Sequence, residues 1–175
     1  MNPDREAIPQ WARLQVWPIF RLYVVVSALL HLMWEFAHVR LYALWNESTA
    51  TDILYSVLHC TVGDVMIATS ALATAVVLAG WRGWPERHFR KASVATIAIG
   101  FSYTWFSEWY NLTIRQSWAY NELMPLMPGT EIGLSPLAQW LAVPTIALAV
   151  AYRRHSLSNT QPIKSDRSDS RRNLS

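Results

Sequence analysis

The chain has 175 residues, 52% of them hydrophobic and 13% aromatic, with 10 Trp, 7 Tyr and a formal net charge of +3. That length suits one domain, and the aromatic content is high for a water-soluble protein of this size, which points to a lipid-embedded bundle. A small positive charge spread over several loops gives no nucleic-acid interface, and the single Cys60, read as a small buried residue, excludes an intramolecular disulfide or a CxxC redox pair.

In chain order, residues 1–16 carry Asp4, Arg5, Glu6, Pro9 and Arg13 and no apolar core, so they read as a cytoplasmic segment rather than a cleaved signal peptide. A first apolar span runs from Trp17 to Trp45, long enough to cross hydrocarbon at 1.5 Å per residue. A loop at Asn46–Thr51 leads to a second span from Asp52 to Gly80, whose Ala71, Ala75 and Ala79 lie at a spacing that lets membrane helices approach closely. Gly83 and Pro85 break the chain. A third span, Ala92 to Asn111, places Thr96, Gly100, Thr104 and Glu108 along one side. The connection from Leu112 to Leu134, with Pro125, Pro128, Gly129 and Gly133, is longer than two neighbouring helices need and reads as a functional loop or a lid. Ser135 as N-cap and Pro136 at the first helical position open a fourth span that ends near Tyr152. Residues 156–175 hold Lys164, Asp166, Arg167, Asp169, Arg171 and Arg172 and read as a disordered basic tail.

Thirteen of the fifteen basic residues fall in the N-terminal segment, the middle loop and the C-terminal end, leaving Arg40 and Arg115 for the other two connections. The positive-inside rule then predicts an all-α fold, a four-helix transmembrane bundle with both termini cytoplasmic, its membrane domain at 17–155. The dominance of Arg over Lys hints at a GC-rich bacterial genome, hence a multi-pass protein of the bacterial inner membrane.

This topology gathers polar side chains towards one face. Glu35 and His38 lie in the outer half of the first span, His59 and Asp64 on the second, Glu108 and Asn111 on the third and Gln139 on the fourth. Ionisable groups inside a membrane helix are costly and normally face a partner, a cavity or an ion, so their convergence predicts a shared pocket. In an acid–base reading, Glu35 and Glu108 carry protons with His31 beside them. In a metal reading, Glu35-Phe-Ala-His38 has the E-x-x-H spacing of helix-bundle carboxylate sites, and Glu35, His38, His59 and Asp64 are the candidate ligands of a divalent metal ion. A full di-iron set is missing, because Asn111 stands where a second such motif needs histidine. Trp34, Asn111, Trp118, Tyr120 and Gln139 are candidate ligand-binding residues. Satisfied structural hydrogen bonds are the alternative for each histidine taken alone.

The Trp34-Glu35 region, His59-Cys-Thr-Val-Gly-Asp64, Glu108-Trp-Tyr-Asn111, and Trp118 to Tyr120 with Gly133-Leu-Ser-Pro136 together resemble a group of small bacterial multi-pass membrane proteins, a resemblance that covers most of residues 20–150 and implies no activity. His31-x-x-x-Glu35 on one helix with Glu108 on another is also similar to the histidine and carboxylate proton-transfer site of the EXPERA superfamily of sterol isomerases and related membrane receptors. That likeness rests on a few residues and implies a lipid or isoprenoid ligand. The expected functions are therefore proton-transfer or metal-assisted chemistry on a membrane-dissolved lipid, or a non-catalytic lipid-, quinone- or metal-binding subunit. Membrane lipids are the expected surroundings, nucleic acid is not a partner, and oligomerisation is left open.

Overall fold

The computed structural model describes residues 10–160, with side-chain surroundings given for 16–158. Among the described residues the chain is all-helical, and β-pairing is confined to two isolated bridges, Tyr42 with Tyr120 and Leu126 with Gly133. The helices are α1 (Gln10–His38), a short α2 (Leu44–Glu47), α3 (Ala50–Gly80), α4 (Phe89–Trp109) and α5 (Leu134–Thr160). Helix α1 packs on α3 and α5, and α4 packs on the same two, so the long helices close a ring.

Three stretches are long and apolar enough to cross a membrane: Val16–Leu41, Ala50–Gly83 and Leu134–Ser158. Helix α4 has the length but not the apolarity, because Arg90 and Lys91 open it and Ser102, Thr104, Ser107 and Glu108 lie along it. Outward faces are rich in exposed Val25, Leu29, Met33 and Phe36 on α1 and Leu54, Leu58, Val62 and Met66 on α3. A water-soluble surface rarely carries such continuous apolar faces, whereas hydrocarbon accepts them.

The inward faces follow four-residue rows. On α1, Ile19, Tyr23, Ser27, His31 and Glu35 are buried, and on α4, Ala92, Thr96, Gly100, Thr104 and Glu108. Such rows are the ridges by which helices interdigitate. The ring of Trp140 lies over Gly100 so closely that a Cβ there would stand 2.1 Å from Trp140 Cε3. Ala71 and Ala75 are buried as their spacing predicts, and Ala79 is partly buried.

Several boundaries differ from the sequence reading. Helix α1 ends at His38, not near Trp45, because the chain tightens into a 3-10 turn at Val39–Leu41 and turns extended at Tyr42. Backbone bonds from Ala43 N to Ala119 O (2.9 Å) and from Asn121 N to Leu41 O (3.0 Å) then tie it to the long loop. Helix α3 starts at Ala50 through a capping box, Thr49 accepting from Asp52 N while the Asp52 carboxylate takes the Thr49 N–H. Ser135 is not an N-cap, since α5 already begins at Leu134. Cys60 is exposed on α3 rather than buried. Helices α1 and α5 extend beyond the expected limits of 17 and 155. The remainder of the expected N-terminal segment and basic tail lies outside the described residues.

Candidate functional site

Helices α1, α3 and α5 bring four polar side chains together. His31 is fully buried, with Nδ1 2.9 Å from Gln139 Nε2 and 3.4 Å from Asp64 Oδ2. The Gln139 amide donates to Glu35 Oε1 and to Asp64 Oδ2, each at 3.1 Å. The two carboxyl groups also lie within hydrogen-bonding reach of each other. An amide nitrogen has two hydrogens, so three neighbours share two donors. A proton held among His31, Glu35 and Asp64 completes the set.

One turn further along α1, His38 Nε2 pairs with Glu35 Oε2 at 3.1 Å while its Nδ1 lies 3.1 Å from Ser135 Oγ. The same hydroxyl accepts from Trp34 Nε1 at 3.3 Å. Ser135 therefore ties α5 to α1, a role its hydroxyl can fill because it sits just inside the helix start.

A second carboxylate site adjoins from α4. Glu108 is buried and accepts from the Tyr120 hydroxyl. Tyr120 in turn accepts from Gly133 N at 3.1 Å and packs edge-on against Tyr42, which packs against His38. Burial first, then the Glu108 carboxylate, holds the Tyr42 and Tyr120 phenols well above their ordinary range, so both remain O–H donors. The long loop is thus pinned over the site, with Asn121 Nδ2 also donating to Arg40 O at 2.6 Å. Removing this pin has a defined consequence. In Tyr120→Phe, amide hydrogen exchange in the loop at 116–133 rises at least about tenfold while the long helices keep their protection, because a hydrogen bond to a charged group contributes about 1.5–3 kcal/mol.

The structure brings together His31, Trp34, Glu35, His38, Asp64 and Gln139, with Glu108, Trp118 and Tyr120 alongside. Two sequence candidates stand apart. His59 is exposed and stacks on Tyr55, with ring centroids 5.7 Å apart, because its position on α3 faces away from α1 and α5. Asn111 lies in a π turn, Tyr110–Arg115, that continues α4, and turns back on that helix, donating to Ser107 O at 2.8 Å. The expected metal set of Glu35, His38, His59 and Asp64 is accordingly not assembled. His38 has both ring nitrogens engaged, and among the described residues no group of three or more His, Cys, Asp or Glu is placed to hold a metal ion.

An apolar recess lined by Val16, Trp17, Phe20, Ala73, Val76 and Trp84 lies at the opposite end of the bundle and holds none of these groups. The chain matches no family model, no curated protein and no solved structure.

Sequence reasoning missed Ser135 as a link between helices, Tyr42 as a wall, and Ser27 and Tyr23 on the α1 row below His31. The last two were open to detection, since 23, 27, 31 and 35 continue one four-residue repeat. Ser135 was masked by its plausibility as a cap.

Proposed function

We propose that this chain is a four-span protein of the bacterial inner membrane, both termini cytoplasmic, whose buried carboxylate–histidine cluster transfers protons to and from a lipid or isoprenoid dissolved in the bilayer. Supporting the topology, Arg82, Arg87, Arg90, Lys91, Arg153 and Arg154 lie at one end of the ring of helices, and Arg40 and Arg115 at the other. The cluster then sits in the extracytoplasmic half. One observation carries the chemistry: Glu35 touches His38, Gln139 and Asp64 at once, a carboxyl group set to gain or lose a proton without leaving its partners unpaired. Glu108, under Tyr120, is a second carboxyl in different surroundings, the arrangement that separates an acid from a base. The resemblance to the EXPERA site supports the same ligand class.

In this reading the Glu35 carboxylate takes a proton from substrate carbon and hands it to His38 Nε2, its 3.1 Å partner, while Glu108 in its protonated form gives a proton to the substrate at the other end. Trp34 and Trp118 flank the ligand, and Tyr120 releases the loop to admit it. The close packing of His31 and Gln139 favours a second reading, a binding subunit that holds lipid or quinone for a partner.

Lipids extracted from the detergent-purified protein and quantified by mass spectrometry test the ligand class. One lipid or isoprenoid class enriched over the bulk membrane, and depleted in folded Trp34→Ala and Trp118→Ala, is the expected result. A lipid profile identical to bulk membrane in the wild type removes this reading.

A further inference from the structure

Below the cluster, the buried row of α1 stays polar where a helix in hydrocarbon has every reason to be apolar. Tyr23, Ser27 and His31 are each 0% exposed, one turn apart, on the face turned to α3 and α5. His31 uses Nδ1 on Gln139 and Asp64, while its Nε2 has no hydrogen-bond partner. Ser27 Oγ likewise makes no well-formed hydrogen bond, although the Tyr23 hydroxyl is in its neighbourhood. Tyr23 itself donates only at 3.5 Å, to Ala68 O. Two orphaned polar atoms on adjacent turns of one face are uncommon, because an unsatisfied buried polar group costs about 1–3 kcal/mol. Helical side chains lean towards the N-terminus, which brings the His31 ring back over the turn that carries Ser27. Groups one turn apart on a helix have Cβ atoms about 5–6 Å from each other, so Tyr23, Ser27 and His31 are successive neighbours along one face.

From this we infer that Tyr23, Ser27 and His31 form a proton path that runs from the buried cluster into the cytoplasmic half of the membrane. With Glu35 and His38 the polar row runs from residue 23 to residue 38, or about 22 Å of helix rise, against a hydrocarbon thickness of about 30 Å. His31 is the two-ended element. A water held by Ser27 gives a proton to Nε2 as the Nδ1–H proton passes to Asp64 Oδ2, so one O–H and one N–H bond break while one N–H and one O–H form. The imidazole ends as the other neutral tautomer, and the hydroxide left at Ser27 is reprotonated from the Tyr23 side. Asp64 from α3 and Gln139 from α5 are the polar groups that contact His31, and Glu35 from α1 joins them through the Gln139 amide. The inference uses the four-span topology proposed above but requires no lipid substrate.

The test is proton flux into vesicles of neutral phospholipid that hold the purified full-length protein and a trapped pH dye, driven by a potassium diffusion potential. Ser27→Val and Ser27→Thr have the same shape and differ in the hydroxyl. The expected result is wild-type flux several-fold above protein-free vesicles, a fall of about tenfold in Ser27→Val, and recovery in Ser27→Thr. Wild-type flux equal to that of empty vesicles overturns the path, as does undiminished flux in a folded Ser27→Val. Because no substrate is present, either negative result leaves the lipid chemistry at Glu35 and Glu108 to stand or fall on its own assay.

Discussion

Gln139→Leu loses about 3–5 kcal/mol of stability and lowers the thermal midpoint in detergent by roughly 10 °C. The wild-type amide stands between Glu35, Asp64 and His31, within 3.1 Å of each, and is 2% exposed. Leucine removes both donors and leaves two carboxyl groups facing each other beside a histidine, with no solvent to take their place. The loss belongs to the stranded partners rather than to one hydrogen bond, and this can be separated by experiment. Replacing Gln139, Glu35 and Asp64 together by leucine removes the two facing carboxyl groups and leaves only the His31 and His38 ring nitrogens without their partners, so part of the lost midpoint returns. A single variant as stable as wild type would mean that the cluster is not closed in the way described. A triple variant less stable than the single would mean that packing, not polarity, is decisive.

Gly100→Ala is the second large effect. Its new methyl would stand 2.1 Å from Cε3 and 2.2 Å from Cζ3 of Trp140, an indole that is 1% exposed and has no space to retreat. Overpacking of this kind costs about 1–3 kcal/mol, more than the roughly 1 kcal/mol that alanine gains over glycine in helix propensity. In the membrane, where close packing rather than water exclusion holds helices together, the clash separates α4 from α5. The same shift disturbs His31, whose ring lies 5.3 Å from that of Trp140. Thermal unfolding in detergent is the readout: the midpoint falls in Gly100→Ala and recovers in part when Trp140→Phe is added. An unchanged midpoint in Gly100→Ala would show that the indole is free to move.

Helical class, long apolar spans and the inward rows were legible because hydrophobic periodicity is local. The row at Thr96, Gly100, Thr104 and Glu108 needed only the sequence, and each member is buried. What bends or ends a helix was less legible when its cause lies far along the chain. Tyr42 leaves the helix because it pairs with Tyr120, and nothing in residues 42–45 announces that partner. The site divides along the same line. Glu35, His38, Asp64, Glu108 and Gln139 could be gathered by depth alone, since depth follows from position along each helix. Rotation about the helix axis decides which of them meet, and this is where His59 and Asn111 departed. On α3, His59 lies five residues before Asp64, about 140° round the axis from it on a helix of 3.6 residues per turn. The polar spacing could not reveal that its ring stacks outward on Tyr55.

Whether Glu35 moves protons on a membrane lipid is read from the uptake of solvent deuterium at carbon. Purified wild-type protein and Glu35→Gln are incubated with an isoprenoid-containing membrane lipid extract in D2O, and each lipid is weighed by mass spectrometry after back-exchange of its O–H and N–H groups. The expected result is that one lipid or isoprenoid gains carbon-bound deuterium with the wild type and not with folded Glu35→Gln. No carbon-bound deuterium with the wild type, or equal labelling by both proteins, would contradict it.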